Sequence, residues 1–199
     1  MQQNTNPPID NGLVAAQQAM QDTAFARSPA WQRVEPAFLA QQGHDTCAAC
    51  HRDKNQAKLE VHHILPFHLV RNFQRPDLEF DPTNLVTLCD IHHLYIGHLG
   101  VWGSYNENVL FDVKPGTNNP DWSTYFDKQS FEADPTWSTA SKSKPGPLRD
   151  WKPPFPQQFT DLMDKWHSPP PQEPLSVLIQ KWYGLKISEA EIEGSINVG

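Results

Sequence analysis

The sequence predicts an α+β chain: a small strand–strand–helix module, preceded by a helix and followed by an irregular Pro/Trp-rich extension that itself ends in a helix. Three observations predict this. Eight of the nine histidines and all three cysteines lie between His44 and His98. Two short strand patterns, Leu59 to Leu65 and Leu85 to Leu88, stand before a helical pattern from Asp90 to His98. Of the 19 prolines, 12 fall between Pro115 and Pro174, interleaved with Trp122, Trp137, Trp151 and Trp166.

Taken in order, residues 1–27 are Gln/Asn-rich and read as a flexible arm with a short helix over Val14 to Phe25. Residues 28–113 form the module with its leading helix. Ser28-Pro29 is a helix-start signal, and Trp31, Val34, Phe38 and Leu39 recur at helical spacing until Gly43, with Pro36 as an interior flaw. Residues 114–174 read as a wrap over the core or over a protein partner, because tryptophan and phenylalanine contribute mainly through burial. In residues 175–199, Leu175, Leu178, Ile179 and Trp182 predict a helix that stops near Gly184, and Ser188 caps a second one reaching Ile192. The net charge of -7 excludes a generic polycation. No apolar stretch suits a membrane span and Met1-Gln2-Gln3-Asn4 opens no signal peptide, so a cytoplasmic protein is expected.

Cys47-Ala48-Ala49-Cys50 and Cys89-Asp90-Ile91-His92 are two ligand pairs, each spaced by two residues. Such pairs sit on tight turns with both donors aimed at one ion, and four N/S ligands suit a closed structural zinc site. A redox pair is the alternative for Cys47 and Cys50, which Ala-Ala and the following His51 do not specifically support. This zinc would substitute for core in a unit too small to bury much apolar surface.

In the strand around Leu59-Glu60-Val61-His62-His63-Ile64, adjacent histidines point to opposite faces. Asp81-Pro82-Thr83-Asn84 precedes the second strand, and His93 follows on the helix. This window, about residues 44 to 110, resembles the HNH endonuclease family with its ββα-metal fold, in the zinc-stapled branch. The resemblance rests on Cys47-x-x-Cys50, Val61-His62-His63-Ile64-x-Pro66, Asp81-Pro82-x-Asn84-Leu85-Val86-x-Leu88-Cys89, and His93 followed by Gly97-His98-Leu99-Gly100. Many members carry Cys-His where this chain has His92-His93.

The resemblance implies a divalent-metal-dependent DNA endonuclease of low sequence specificity. His63 would be the general base and Asn84 would orient it; His62 and His93 would hold one catalytic ion, Mg²⁺, Mn²⁺, Ni²⁺ or Zn²⁺. His98 is a candidate third ligand, a phosphate contact or a structural hydrogen bond, its spacing of five from His93 being one longer than a helical turn. Arg52, Lys54, Lys58, Arg71 and Arg75 are candidate phosphate contacts. His44, His51 and His68 have no place in the motif, and Phe67 reads as core rather than as a base-stacking ring. Delivery into another cell would follow if the chain were a toxin. The competing reading is a zinc-dependent nucleic-acid or protein interaction module with an inactive nuclease site.

Overall fold

The computed structural model describes residues 27–100, 102, 105–106, 108–113 and 155–194. The arm before Arg27, with its expected helix, and residues 114–154 of the expected wrap lie outside the described residues.

The centre is a two-stranded antiparallel sheet, β1 (Leu59–His63) and β2 (Leu85–Cys89), in which His62 stands opposite Val86 and His63 opposite Leu85. A lone hairpin is marginal in water, so both faces are covered. On one, Val61 and Leu85 join Trp31, Val34, Phe38, Phe80, Ile179 and Ile187. On the other, Ile64, Val86 and Leu88 join Ile96, Leu110, Phe111, Phe159, Leu162 and the three cysteines. Strand alternation therefore sends His62 towards the cysteine-bearing cluster and His63 towards the cluster built on Trp31.

α1 (Trp31–Leu39) buries Trp31, Val34 and Phe38 at helical spacing and tolerates Pro36 inside it. After β1, Pro66 opens a helix that the sequence did not suggest, α2 (Phe67–Asn72), followed by 3₁₀ turns at Pro76–Glu79 and Pro82–Asn84. Beyond β2 the expected helix is short and changes type: α3 (Asp90–His92) passes directly into a π-helical turn, His93–Gly97. α4 (Val109–Asp112) completes this part.

The wrap is regular where it is described. α5 (Gln157–His167) buries Phe159 and Leu162 in the cysteine-bearing cluster, with Trp166 packed beside them. Lys165 Nζ holds both oxygens of Asp81 at 2.8 Å, and Gln158 Nε2 donates to the carbonyls of Thr83 and Leu85. α6 (Leu175–Tyr183) ends on Gly184 at φ 70°, the left-handed conformation that glycine adopts without strain. α7 (Glu189–Glu193) starts from a reciprocal capping box between Ser188 and Glu191. Gln41 Nε2 donates to the carbonyl of Trp182 at 2.6 Å and Tyr183 to that of Phe80, so the C-terminal helices close the core begun by α1. No helix among the described residues is long and apolar enough to cross a membrane.

Candidate metal centres and the cleft between α2 and the π turn

The first centre joins the turn after α1 to the end of β2. Cys47 and Cys50 sit on a turn closed by the His51 amide donating to the Cys47 carbonyl at 2.8 Å, and Ala48 N–H ties that turn to Thr87. Cys89 ends β2 and His92 lies one turn on. All four side chains are buried, and their ligand atoms lie within 4.8 Å of one another. Cys50 and Cys89 sulfurs are 3.9 Å apart, and His92 Nδ1 is 3.1 Å from Cys89 Sγ and 3.5 Å from Cys47 Sγ. Zinc–sulfur bonds of about 2.3 Å in a tetrahedron separate sulfurs by about 3.8 Å, so the cluster has the dimensions of a closed zinc site. Hydrogen bonds from Cys50 and Cys89 pull the Cys47 thiol down while those with Cys47 and Cys50 push the Cys89 thiol up, as expected of sulfurs crowded around one point. His92, rather than its neighbour His93, completes this set.

The second centre is formed by His62, His93 and His98, whose ligand atoms also lie within 4.8 Å of one another. His62 comes from β1; the other two come from the turn after α3. The π turn explains the spacing of five. His98 N–H donates to the His93 carbonyl at 3.0 Å, so residues i and i+5 stand in register, and the two Nε2 atoms come to 3.3 Å. His93 Nδ1–H donates to Glu60 Oε2 at 2.6 Å, which leaves the Nε2 lone pair free to ligate and holds the Glu60 carboxyl down to about 2. His62 Nε2 is buried and has no hydrogen-bond partner among the described residues. Burial, followed by the charges of His93 and His98, pushes the His62 imidazole well below its ordinary value. An orphaned imidazole nitrogen beside two others aimed together fits a divalent cation, which would take all three lone pairs.

Gly97 makes room for this arrangement. A Cβ there would lie 2.7 Å from His62 Nδ1, inside contact distance. Gly97→Ala is therefore expected to leave the fold intact while tilting the His62 ring and weakening divalent-ion binding by roughly 10-fold or more, read by calorimetric titration.

His63 faces the other way. Its ring lies 4.5 Å from Trp31, and Nε2–H donates to the Glu79 carbonyl at 3.0 Å, leaving Nδ1 as the acceptor. Burial first, then Arg27, pushes its pKa down to about 3, so it is neutral across the physiological range. Asn84 does not orient it. Asn84 Oδ1 accepts from Leu65 N–H at 2.7 Å and Nδ2 donates to the carbonyls of Leu65 and Leu78 at 2.9 and 2.8 Å. Its side chain ties the end of β1 to the turn before β2, and the Glu79 carbonyl takes the role expected of it. Asn84→Ala should cost about 2–4 kcal/mol by leaving three backbone groups without this partner, measurable by denaturant unfolding.

A cleft of about 330 Å³ joins His62, His93 and His98 to His63; Arg27, Pro66, Phe67, His68, Trp102 and Tyr105 also line it. Phe67 is thus a cleft wall rather than core, and His68, which the motif left unplaced, also lines it. Arg27, assigned by sequence to the arm, is the one Lys or Arg among the described lining residues, its guanidinium 5.2 Å from the Trp31 ring and 5.7 Å from that of Phe67.

The expected phosphate contacts fare differently. Arg75 is buried, paired with Asp77 at 2.8 Å, and donates to the carbonyls of Lys165, Trp166 and Ser168 at the C-terminus of α5. It is a helix cap, closed to nucleic acid. Arg71 is bound to the buried Glu79 carboxylate at 2.7 Å, and Lys58 to Glu60 at 2.5 Å. Arg52 is half-buried and Lys54 exposed, both beside the cysteine turn and outside the cleft lining.

Two residues that sequence reasoning passed over carry part of the site. Glu60 had a legible signal, since it precedes His62 by two on a strand and so shares its face. Arg27 had none. No family model matches the chain, and neither a curated protein nor a solved structure matches it.

Proposed function

We propose that the chain is a divalent-metal-dependent DNA endonuclease of the HNH type. The observation that carries this reading is the meeting of three imidazole nitrogens, one of them buried and unpartnered, in the same cleft as a fourth, neutral imidazole. A bound divalent ion would supply Lewis acidity to the phosphoryl and leaving oxygens. Three neutral ligands suit Mn²⁺, Ni²⁺ or Zn²⁺ better than Mg²⁺, which favours carboxylates and water.

The remaining chemistry belongs to the chain. Glu79 fixes the His63 tautomer through its carbonyl, so that Nδ1 accepts a proton from the attacking water. A base pushed to about 3 is weak alone, but a phosphate entering the cleft adds negative charge beside it and raises its proton affinity in the complex. Glu60 keeps His93 in one tautomer, and the zinc cluster pins the turn that carries His93 and His98. The family resemblance implies products with 5′-phosphate and 3′-hydroxyl ends.

The test is incubation of the full chain with supercoiled plasmid and Mg²⁺, Mn²⁺ or Ni²⁺, with an EDTA control. Metal-dependent conversion to nicked and linear forms is expected. A plasmid and a single strand both left intact under every ion would leave the competing reading, a zinc-held interaction module.

A further inference from the structure

Four residues of the cleft carry rings that neither the metal ligands nor the base require: Phe67, His68, Trp102 and Tyr105. Phe67 stands on the His63 side, with 5.9 Å between ring centroids. Trp102 stands on the other, 5.4 Å from the His93 ring and 5.0 Å from that of His98. Tryptophan is ordinarily well covered, yet Trp102 is 58 % exposed. An indole packed on two imidazoles and more than half exposed, at the mouth of a cleft, is a surface for another flat ring. The guanidinium of Arg27, which also lines the cleft, lies 5.7 Å from the Phe67 ring and adds a cation to the same wall.

Size and charge narrow the occupant. A cleft of about 330 Å³ lies at the small end of ligand pockets, enough for one base and far too small for a base-paired duplex. Neutralisation of phosphates, the usual source of duplex affinity, is limited here: Arg75 is buried in a helix cap, Arg71 and Lys58 are paired with carboxylates, and the chain carries a net charge of -7. Stacking of bases on aromatic side chains does not depend on a basic track.

We infer that the cleft takes an unpaired base of single-stranded DNA, stacked on Trp102 with Phe67 lining the same space, so that the adjoining phosphate reaches His62, His93 and His98. The protein would then act on single-stranded or locally opened DNA in preference to intact duplex. This rests on the endonuclease reading and adds its substrate form.

Two readouts keep the two apart. Binding of a fluorescein-labelled single strand, and of the same strand in duplex, is followed by anisotropy with the full chain and no added divalent ion. Cleavage of the two forms is then compared with Mn²⁺. Tighter binding and faster cleavage of the single strand are expected, with Trp102→Ala weakening single-strand binding roughly 10-fold or more, duplex binding much less, and Trp102→Phe restoring it. Because Trp102 is exposed, its replacement leaves the core untouched. Equal binding of the two forms, no detectable single-strand binding, or an equal loss of both in Trp102→Ala would overturn the inference. Preferential single-strand binding without any cleavage would uphold the stacking site while removing the endonuclease reading.

Discussion

His63→Ala is expected to lower plasmid cleavage at least 100-fold, on the order of what a positioned general base contributes, while leaving the affinity for the divalent ion nearly unchanged. The two halves of this expectation come from strand geometry. His62 and His63 are neighbours in sequence but project from opposite faces of β1, so removal of one ring does not vacate the place of the other. His62 meets His93 and His98; His63 meets Trp31 and the Glu79 carbonyl. A variant that merely disturbed the fold would lose metal affinity and activity together. Unchanged affinity with lost turnover is the signature of a base, and wild-type turnover in His63→Ala would remove His63 from the mechanism.

Cys89→Ser should abolish stoichiometric zinc and, with it, the cooperative folding of the module. Structural zinc sites contribute apparent binding energies of about 10–16 kcal/mol in small domains, comparable to the whole stability of an ordinary one, about 5–15 kcal/mol. Cys89 is well placed to have a large effect: it ends β2, precedes α3 directly, and lies 3.9 Å from Cys50 and 3.1 Å from His92. The turn holding His93 and His98 begins immediately after His92, so loosening the zinc cluster would disperse the second centre as well. Metal analysis and thermal unfolding of the purified variant measure both effects. Zinc content and unfolding temperature equal to wild type would show that the four residues do not hold a structural ion.

The cluster of Cys47, Cys50, Cys89 and His92 was legible because both pairs have the spacing of a tight turn, and the separation of His62 from His63 because strand neighbours face opposite ways; the pairing of His62 with His93 came from the family resemblance. His98 was half legible. An α-helix makes five residues a poor spacing, whereas the π turn His93–Gly97 brings i and i+5 into register. The family resemblance made Asn84 a partner for an imidazole. Its actual targets, three backbone groups of Leu65 and Leu78, are set by how the turns before β2 fold back on β1, which no local pattern encodes. Arg75 shows the same limit for charge: an arginine in a polar stretch looks solvent-facing until a distant helix, α5, brings its carbonyls to it. α5 itself carries Phe159, Leu162 and Trp166 at helical spacing, but Pro153, Pro154 and Pro156 before it and Pro169 after it masked the pattern. The C-terminal pair, by contrast, was plain from Gly184 and the Ser188 cap.

Nicking of supercoiled plasmid across a Mn²⁺ titration, with wild type and His62→Ala side by side, bears most directly on whether the three imidazoles hold the ion that cleavage requires. Wild type should nick saturably and stop on addition of EDTA, and His62→Ala should need at least roughly 10-fold more Mn²⁺ or fail altogether. Nicking that persists in EDTA, or a titration curve for His62→Ala that overlays wild type, would contradict a catalytic metal at this site.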